Sequence, residues 1–263
     1  MFNFPKKDRS LIKKFKRNYL RSVILQIKFS ENELVIEKRP EIEALFGELY
    51  PRKQDKVNQG FSIVLNDEQT PIVQQISEKN GGFEVRSVDG QATYSFSQDT
   101  ISLTISGSTY SNFERMKSEV EKIKKLSEVC NITSFNRVAI RKLNIIEFLM
   151  QEGNNPHAMS LMELILNPQL LSNTSYFPSL EHVKQNLHTI QYVDRDNRLN
   201  LRYGLLMPQP NSKTGQILID IDLFTLSMIS PEKLETVTSE INDEIFNIFM
   251  WSLSDKSIEH LLM

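Results

Sequence analysis

From residue 19 to 29 apolar and polar residues alternate, with Val23, Leu25, Ile27 and Phe29 on one parity. That spacing predicts a strand with one buried side. Pro40 stands at a first helical position, and Ile42, Leu45, Phe46 and Leu49 recur at helical spacing before Pro51 ends the run. Short β-like runs follow at 61–65, 72–76, 83–88, 92–96 and 101–106, punctuated by Gly81-Gly82, Asp89-Gly90 and Gln98-Asp99. Asp-Gly between alternating runs predicts a hairpin. Tyr110, Phe113, Met116, Val120, Ile123, Leu126 and Val129 then make one stripe at spacings of three and four, the pattern of a long amphipathic helix.

The pattern then repeats. A long strand is expected over 135–148, followed by a helix in HAMSLMELIL that Pro168 ends, and by strands near 187–193, 199–207 and 216–224. Ser230-Pro231 opens a closing helix carrying Leu234, Val237, Ile241, Ile245, Ile248 and Phe249 inward, with a break at Ser254-Asp255. The expectation is an α+β fold of two similar halves, each strand, helix, antiparallel strands, long helix, sharing one compact unit. Their bounds are 19–131 and 132–263, preceded by an arm over 1–18. Val138-Ala139-Ile140-Arg141 parallels Leu199-Asn200-Leu201-Arg202, and no Pro, Gly or Ser linker separates the halves near 131.

Composition narrows the classes. With 263 residues, 40% apolar and 24% charged, the chain is of ordinary globular type. No apolar run approaches the roughly 20 residues of a membrane span, and no apolar segment of the signal-peptide kind follows the basic start, so secretion is not expected. Cys130 is the single cysteine, which excludes an internal disulfide and a thiolate-rich zinc site and points to the cytoplasm.

Net charge is −2, yet Lys6, Lys7, Arg9, Lys13, Lys14, Lys16, Arg17 and Arg21 face only Asp8 at the start. Phe2, Phe4, Leu11, Ile12, Phe15 and Tyr19 interleave with them. Such a segment, with Lys13, Lys14, Lys16 and Arg17 as binding residues, suits nucleic acid or an anionic membrane. It equally suits an arm that docks its Leu11, Phe15 and Tyr19 stripe on the body.

Candidate chemistry is sparse. His157, His182, His188 and His260 form no metal-ligand spacing. Cys130 falls at a helix C-terminus, where the dipole does not activate a thiol. Asp220 and Asp222 share a strand face and could hold a divalent cation for phosphoryl transfer, or alternate outward by default. Arg137 and Arg141 share a face, with Arg202 at the matching place in the second half. They could form a basic groove or pair with Glu147, Asp220 or Asp222. No phosphate-cradling loop, dinucleotide fingerprint or Gly-x-Ser-x-Gly elbow can be written from the nine glycines, so no cofactor is expected.

Asn18-Tyr19-Leu20-Arg21-Ser22-Val23-Ile24, Arg39-Pro40-Glu41-Ile42, Tyr50-Pro51 and Asn136-Arg137-Val138-Ala139-Ile140-Arg141 occur in an order and spacing that resemble a sporadically distributed bacterial family of uncharacterised proteins of about this length. Ala139 and Lys142 replace that family's glycine and tyrosine. The resemblance implies an accessory role, of the defence or toxin–antitoxin kind. The expected function is therefore a non-enzymatic protein-interaction factor, possible as a homodimer. Nucleic-acid binding and metal-dependent phosphoryl transfer are the alternatives.

Overall fold

The computed structural model describes residues 2, 4–15, 17–65, 71–110, 112–149, 158–171, 185–206 and 214–262, with side chains at 12–14, 57–81, 149, 158–161, 214 and 259–262 left aside. Strand β1 (Leu20–Lys28) keeps the alternation of its sequence: Val23, Leu25 and Ile27 are fully buried and the residues between them are partly exposed. Among the described residues it is the fifth of nine antiparallel strands. The others are β2 (Arg52–Leu65), β3 (Pro71–Arg86), β4 (Ala92–Phe96), β5 (Thr100–Ser106), β6 (Arg137–Leu149), β7 (Asn186–Asp194), β8 (Asn197–Leu206) and β9 (Thr214–Thr225). Their order is β2-β3-β4-β5-β1-β6-β9-β8-β7.

The expected pair of balanced α+β halves is not what forms. β1 and β6 pair directly, with Leu25 opposite Ile140 and Ile27 opposite Val138, so one sheet runs unbroken through the point where the halves were to meet. Directly opposed residues share a face, and the apolar parities of the two strands therefore merge into one buried surface. The short helices also have different partners. Helix α2 (Arg39–Phe46), which follows α1 (Leu34–Glu37), packs on α3 (Phe113–Val129). Helix α4 (Ala158–Ile165) instead packs on β8 and on α6 (Asp255–Leu262). Strand outweighs helix, and the molecule is best described as one large antiparallel sheet with helices on one face.

Within that frame most elements follow their signals. Gly90 has φ +71° in the Asp89-Gly90 turn between β3 and β4, the left-handed backbone that favours glycine. The Gly81-Gly82 pair, expected to separate two runs, lies inside β3 instead, because Gly82 pairs with Lys56 across the hairpin.

Helices α3 and α5 (Leu234–Ser252) pack on each other, and α5 lies across β6 and β9. Met116, Val120, Ile123 and Leu126 on α3 are fully buried, as is Ile248 on α5, with Ile241 and Ile245 nearly so. Asn112 caps α3 by accepting from the Glu114 and Arg115 amides.

Glu119 on α3 is buried yet satisfied. It accepts from Tyr50 Oη at 2.9 Å, Tyr94 Oη at 2.8 Å and Lys122 Nζ at 2.7 Å. Burial, then the neighbouring carboxylate, raise both phenols, which stay protonated as donors. The cluster fixes α3 to β4 and to the turn after α2. No helix among the described residues is long and apolar enough to cross a membrane.

Candidate ligand-binding site

Parity along β6 sorts the sequence-predicted residues onto two faces. Arg137 and Arg141 fall on the face away from α5. There the ladder sets Arg141 opposite Asp222, and Asp220 opposite Arg202 on β8. The structure thus brings Arg137, Arg141, Arg202, Asp220 and Asp222 onto one surface.

Arg141 holds Asp220 with two parallel bonds, Nε to Oδ1 at 2.8 Å and Nη2 to Oδ2 at 2.6 Å. Asp220's side chain is only 5% exposed against 45% for the arginine, so the guanidinium roofs the carboxylate. That bond is the largest cause raising the Arg141 pKa. Arg137 lies 3.7 Å from Asp222, donates to Gln26 and stacks 4.2 Å over the Phe224 ring. Its pKa falls through burial. Asn200 donates to Asp222 at 3.2 Å, and burial is the largest cause raising that carboxyl.

Both aspartates are thus engaged by arginine or amide donors. Among the described residues no group of three His, Cys, Asp or Glu can hold a metal ion. His157 and His182 lie outside the described residues, as does the His260 side chain. His188 stacks beside Tyr203, and Cys130 is buried at the end of α3, where burial pushes its thiol up.

The arm lies along the other face. Lys16 lies outside the described residues, and so do the side chains of Lys13 and Lys14 in the 3-10 turn Arg9–Lys14. The arm's aromatic residues are placed. Phe2 meets Tyr192, Phe4 meets Trp251, and Phe15 meets Phe249, all edge-on. Arg9 pairs with Asp243 and covers the Phe246 ring at 5.4 Å, while the Lys7 amide donates to Asn247 Oδ1. The basic arm is therefore docked on α5 by its apolar side.

Where the arm, the centre of the sheet and α5 meet, they enclose a half-open cleft of about 520 Å³. Lys142 and Asn144 reach it because they sit on the same parity of β6 as Val138 and Ile140, the side that α5 covers. Close approach of the chain brings Ser108 and Tyr110 to the same place. A Cβ at Gly107 would fall 1.8 Å from the Leu20 carbonyl oxygen, so only glycine lets this turn press against β1. Asn18 fixes the contact by donating to the Gly107 carbonyl at 2.7 Å.

Among the described residues the walls carry three cations, Arg9, Arg17 and Lys142, and no acid. Lys142 Nζ donates to Asn242 Oδ1 at 2.6 Å and lies 5.4 Å over the Tyr110 ring. Desolvation, then the Arg9 charge, lower its amine to about 7, against a smaller opposing pull from Asp243. Tyr110 is 8% exposed, and its hydroxyl has no hydrogen-bond partner among the described residues. Burial raises that phenol, which remains a donor. Phe15, Phe246 and Phe249 form the apolar side.

Of the binding candidates named from sequence, Arg17 alone lines this cleft, with Arg9, Phe15 and Tyr19 from the same basic segment. Lys142 was visible as a charge on the buried parity of a strand, and Tyr110 was absorbed into a helical stripe. No family model matches the chain, and no curated protein matches it.

Proposed function

We propose that the protein is a non-enzymatic binding factor that takes an anionic group, carried on an apolar body, into the cleft between the arm, β6 and α5. The observation that carries this reading is the convergence of Arg9, Arg17 and Lys142 with the rings of Phe15, Phe246 and Phe249 in a cleft whose walls, among the described residues, carry no acid. Phosphoryl transfer is disfavoured because Asp220 and Asp222 are held by Arg141, Arg137 and Asn200. Nucleic-acid binding by the arm is disfavoured because Arg9 is already paired with Asp243. A bacterial cytoplasmic accessory role, as the family resemblance implies, belongs to the same proposal.

Thermal unfolding against matched anionic, neutral and cationic aromatic compounds tests this reading. Anions alone are expected to raise Tm, and equal shifts from all three would remove it.

A second reading concerns protein partners. Among the described residues β7 ends the sheet, and Ile190, Val193 and, beside the arm's Phe2, Tyr192 are exposed on it. An exposed apolar edge is a template for another strand, whether from a different protein or from a second copy. Val193→Lys should then abolish any self-association or capture seen with the unaltered chain.

A further inference from the structure

Resting on the reading of β7 as an open sheet edge, we propose that its partner is a second copy of this chain, the two β7 strands pairing antiparallel about a two-fold axis at Ile190.

The core runs out at β7. Across the ladder Ile221, Leu201 and Ile190 stand in one row, and Leu223, Leu199 and Tyr192 in another. Exposure climbs along the first from 0% at Ile221 and 1% at Leu201 to 38% at Ile190. Along the second it climbs from 1% at Leu223 and 2% at Leu199 to 53% at Tyr192. Each row of buried apolar side chains thus ends on a residue that a further strand would cover, and among the described residues there is none. Phe2 of the arm meets Tyr192 edge-on and still leaves it half exposed.

The edge is also unguarded. Sheet edges are ordinarily blunted by lysine, proline, inward charge or a bulge. Residues 186–193 contain no Lys, Arg, Asp, Glu or Pro, and the β7–β8 ladder runs without a register shift. Thr189 to Val193 are exposed in succession.

Backbone direction sets the register. The two-residue turn at Arg195 and Asp196 is closed by the Asp194–Asn197 pair, and a turn so short closes on a pair that shares both backbone bonds. Bonded and unbonded pairs then alternate along the ladder. Leu187, Thr189, Gln191 and Val193 therefore turn their backbone groups away from β8. Two such edges overlap over their full length when Ile190 meets its own copy. Leu187 then faces Val193 and Thr189 faces Gln191, so every outward-turned residue gains a bonded partner. Asp194 falls opposite Asn186, and no like charges meet. A foreign strand would find no charge on residues 186–193 to select it. A second copy matches in length, parity and apolar pairs, and the symmetric contact closes at two chains.

Such a strand is about 30 Å long. A contact of that extent is small among stable interfaces, so association is expected with a Kd on the order of micromolar.

Sedimentation velocity of the full chain at rising concentration tests the assignment. The unaltered chain is expected to pass from monomer to dimer, and Val193→Lys and Thr189→Pro each to raise the Kd about tenfold or more. Proline at 189 removes a bond to the partner and none to β8, so thermal unfolding of the dilute monomer should not change. Ile190→Cys should give a covalent dimer on oxidation, because directly opposed residues lie within disulfide reach. The native Cys130 is buried and provides the control.

A monomer at every concentration would overturn self-pairing. A labelled peptide of residues 186–194 then separates the two readings: binding to the unaltered chain and not to Val193→Lys leaves the open edge standing, and no binding removes it as well. A dimer that survives both changes, or that Ile190→Cys does not cross-link, uses another surface or register and overturns the assignment.

Discussion

Lys142 Nζ donates to Asn242 Oδ1 at 2.6 Å, which ties the only cation on the buried parity of β6 to the inward side of α5. A lysine in that place works against the packing around it. Its neighbours on the same parity, Val138, Ile140 and Ile146, are buried apolar residues, and a methionine would pack there without charge.

That conflict predicts a pH signature. In the unfolded chain the amine titrates at its ordinary 10.5, and in the fold at about 7. Between those values the unfolded state binds the extra proton, so stability rises with pH across the window. Relative to Lys142→Met, the unaltered protein should gain up to about 1 kcal/mol per pH unit there. Urea unfolding of both proteins at about pH 7 and about pH 9 checks the difference in slope. The charged groups that set it are Arg9 and Asp243.

On the opposite face, Arg141→Ala leaves a buried Asp220 without its guanidinium. A loss of about 2 kcal/mol is expected, below the full cost of breaking a buried pair because the arginine is half exposed. Asp220→Asn should cost less than Arg141→Ala, and the double change less than the two together. A double-mutant cycle measured by denaturant unfolding reads the coupling. If a bound metal were the aspartates' purpose, Asp220→Asn would change metal uptake and spare stability.

Tyr94→Phe and Glu119→Ala probe the polar cluster under α3. The first removes one bond from a satisfied carboxylate and should cost about 1 kcal/mol. The second leaves the fully buried Tyr94 hydroxyl with only its long 3.4 Å bond to the backbone carbonyl of residue 119 and should cost about 2–3 kcal/mol. Near-equal losses in thermal unfolding would show that the carboxylate is not the hub of the cluster.

The arm gives a separate prediction. Phe15→Ala removes a half-buried ring from the Tyr19 and Phe249 edges and should destabilise by about 2 kcal/mol while weakening the binding of anionic aromatic compounds. Replacing Lys13, Lys14 and Arg17 together by alanine should leave oligonucleotide affinity and its salt dependence unchanged, as read by fluorescence anisotropy. A nucleic-acid arm would lose affinity steeply.

How far these features could be read in the chain depends on the kind of signal. Local periodicity placed β1, β4, β5, β6 and α3 within a few residues, because period and caps are written in neighbouring positions. Pairing of β1 with β6 was not legible. It joins segments more than a hundred residues apart, and two apolar parities can form two sheets or one. The same limit hid the cleft. Arg137 and Arg141 attracted notice as a spaced pair, while Lys142 between them and Asn144 beyond were polar residues on the core parity, a local conflict that often marks a site. Tyr110 fitted the α3 stripe by spacing, but Asn112 caps the helix after it, and the tyrosine turns to the cleft instead.

The central claim is that Lys142, half-buried on the wall of the cleft, has a lowered proton affinity that a bound anion restores. NMR titration of its ε-methylene resonance, with and without phenylacetate, addresses it most directly. The account predicts a midpoint about 7 in the free protein and a clear rise when the carboxylate is present. A midpoint near the ordinary 10.5 that does not move on adding the acid would contradict it.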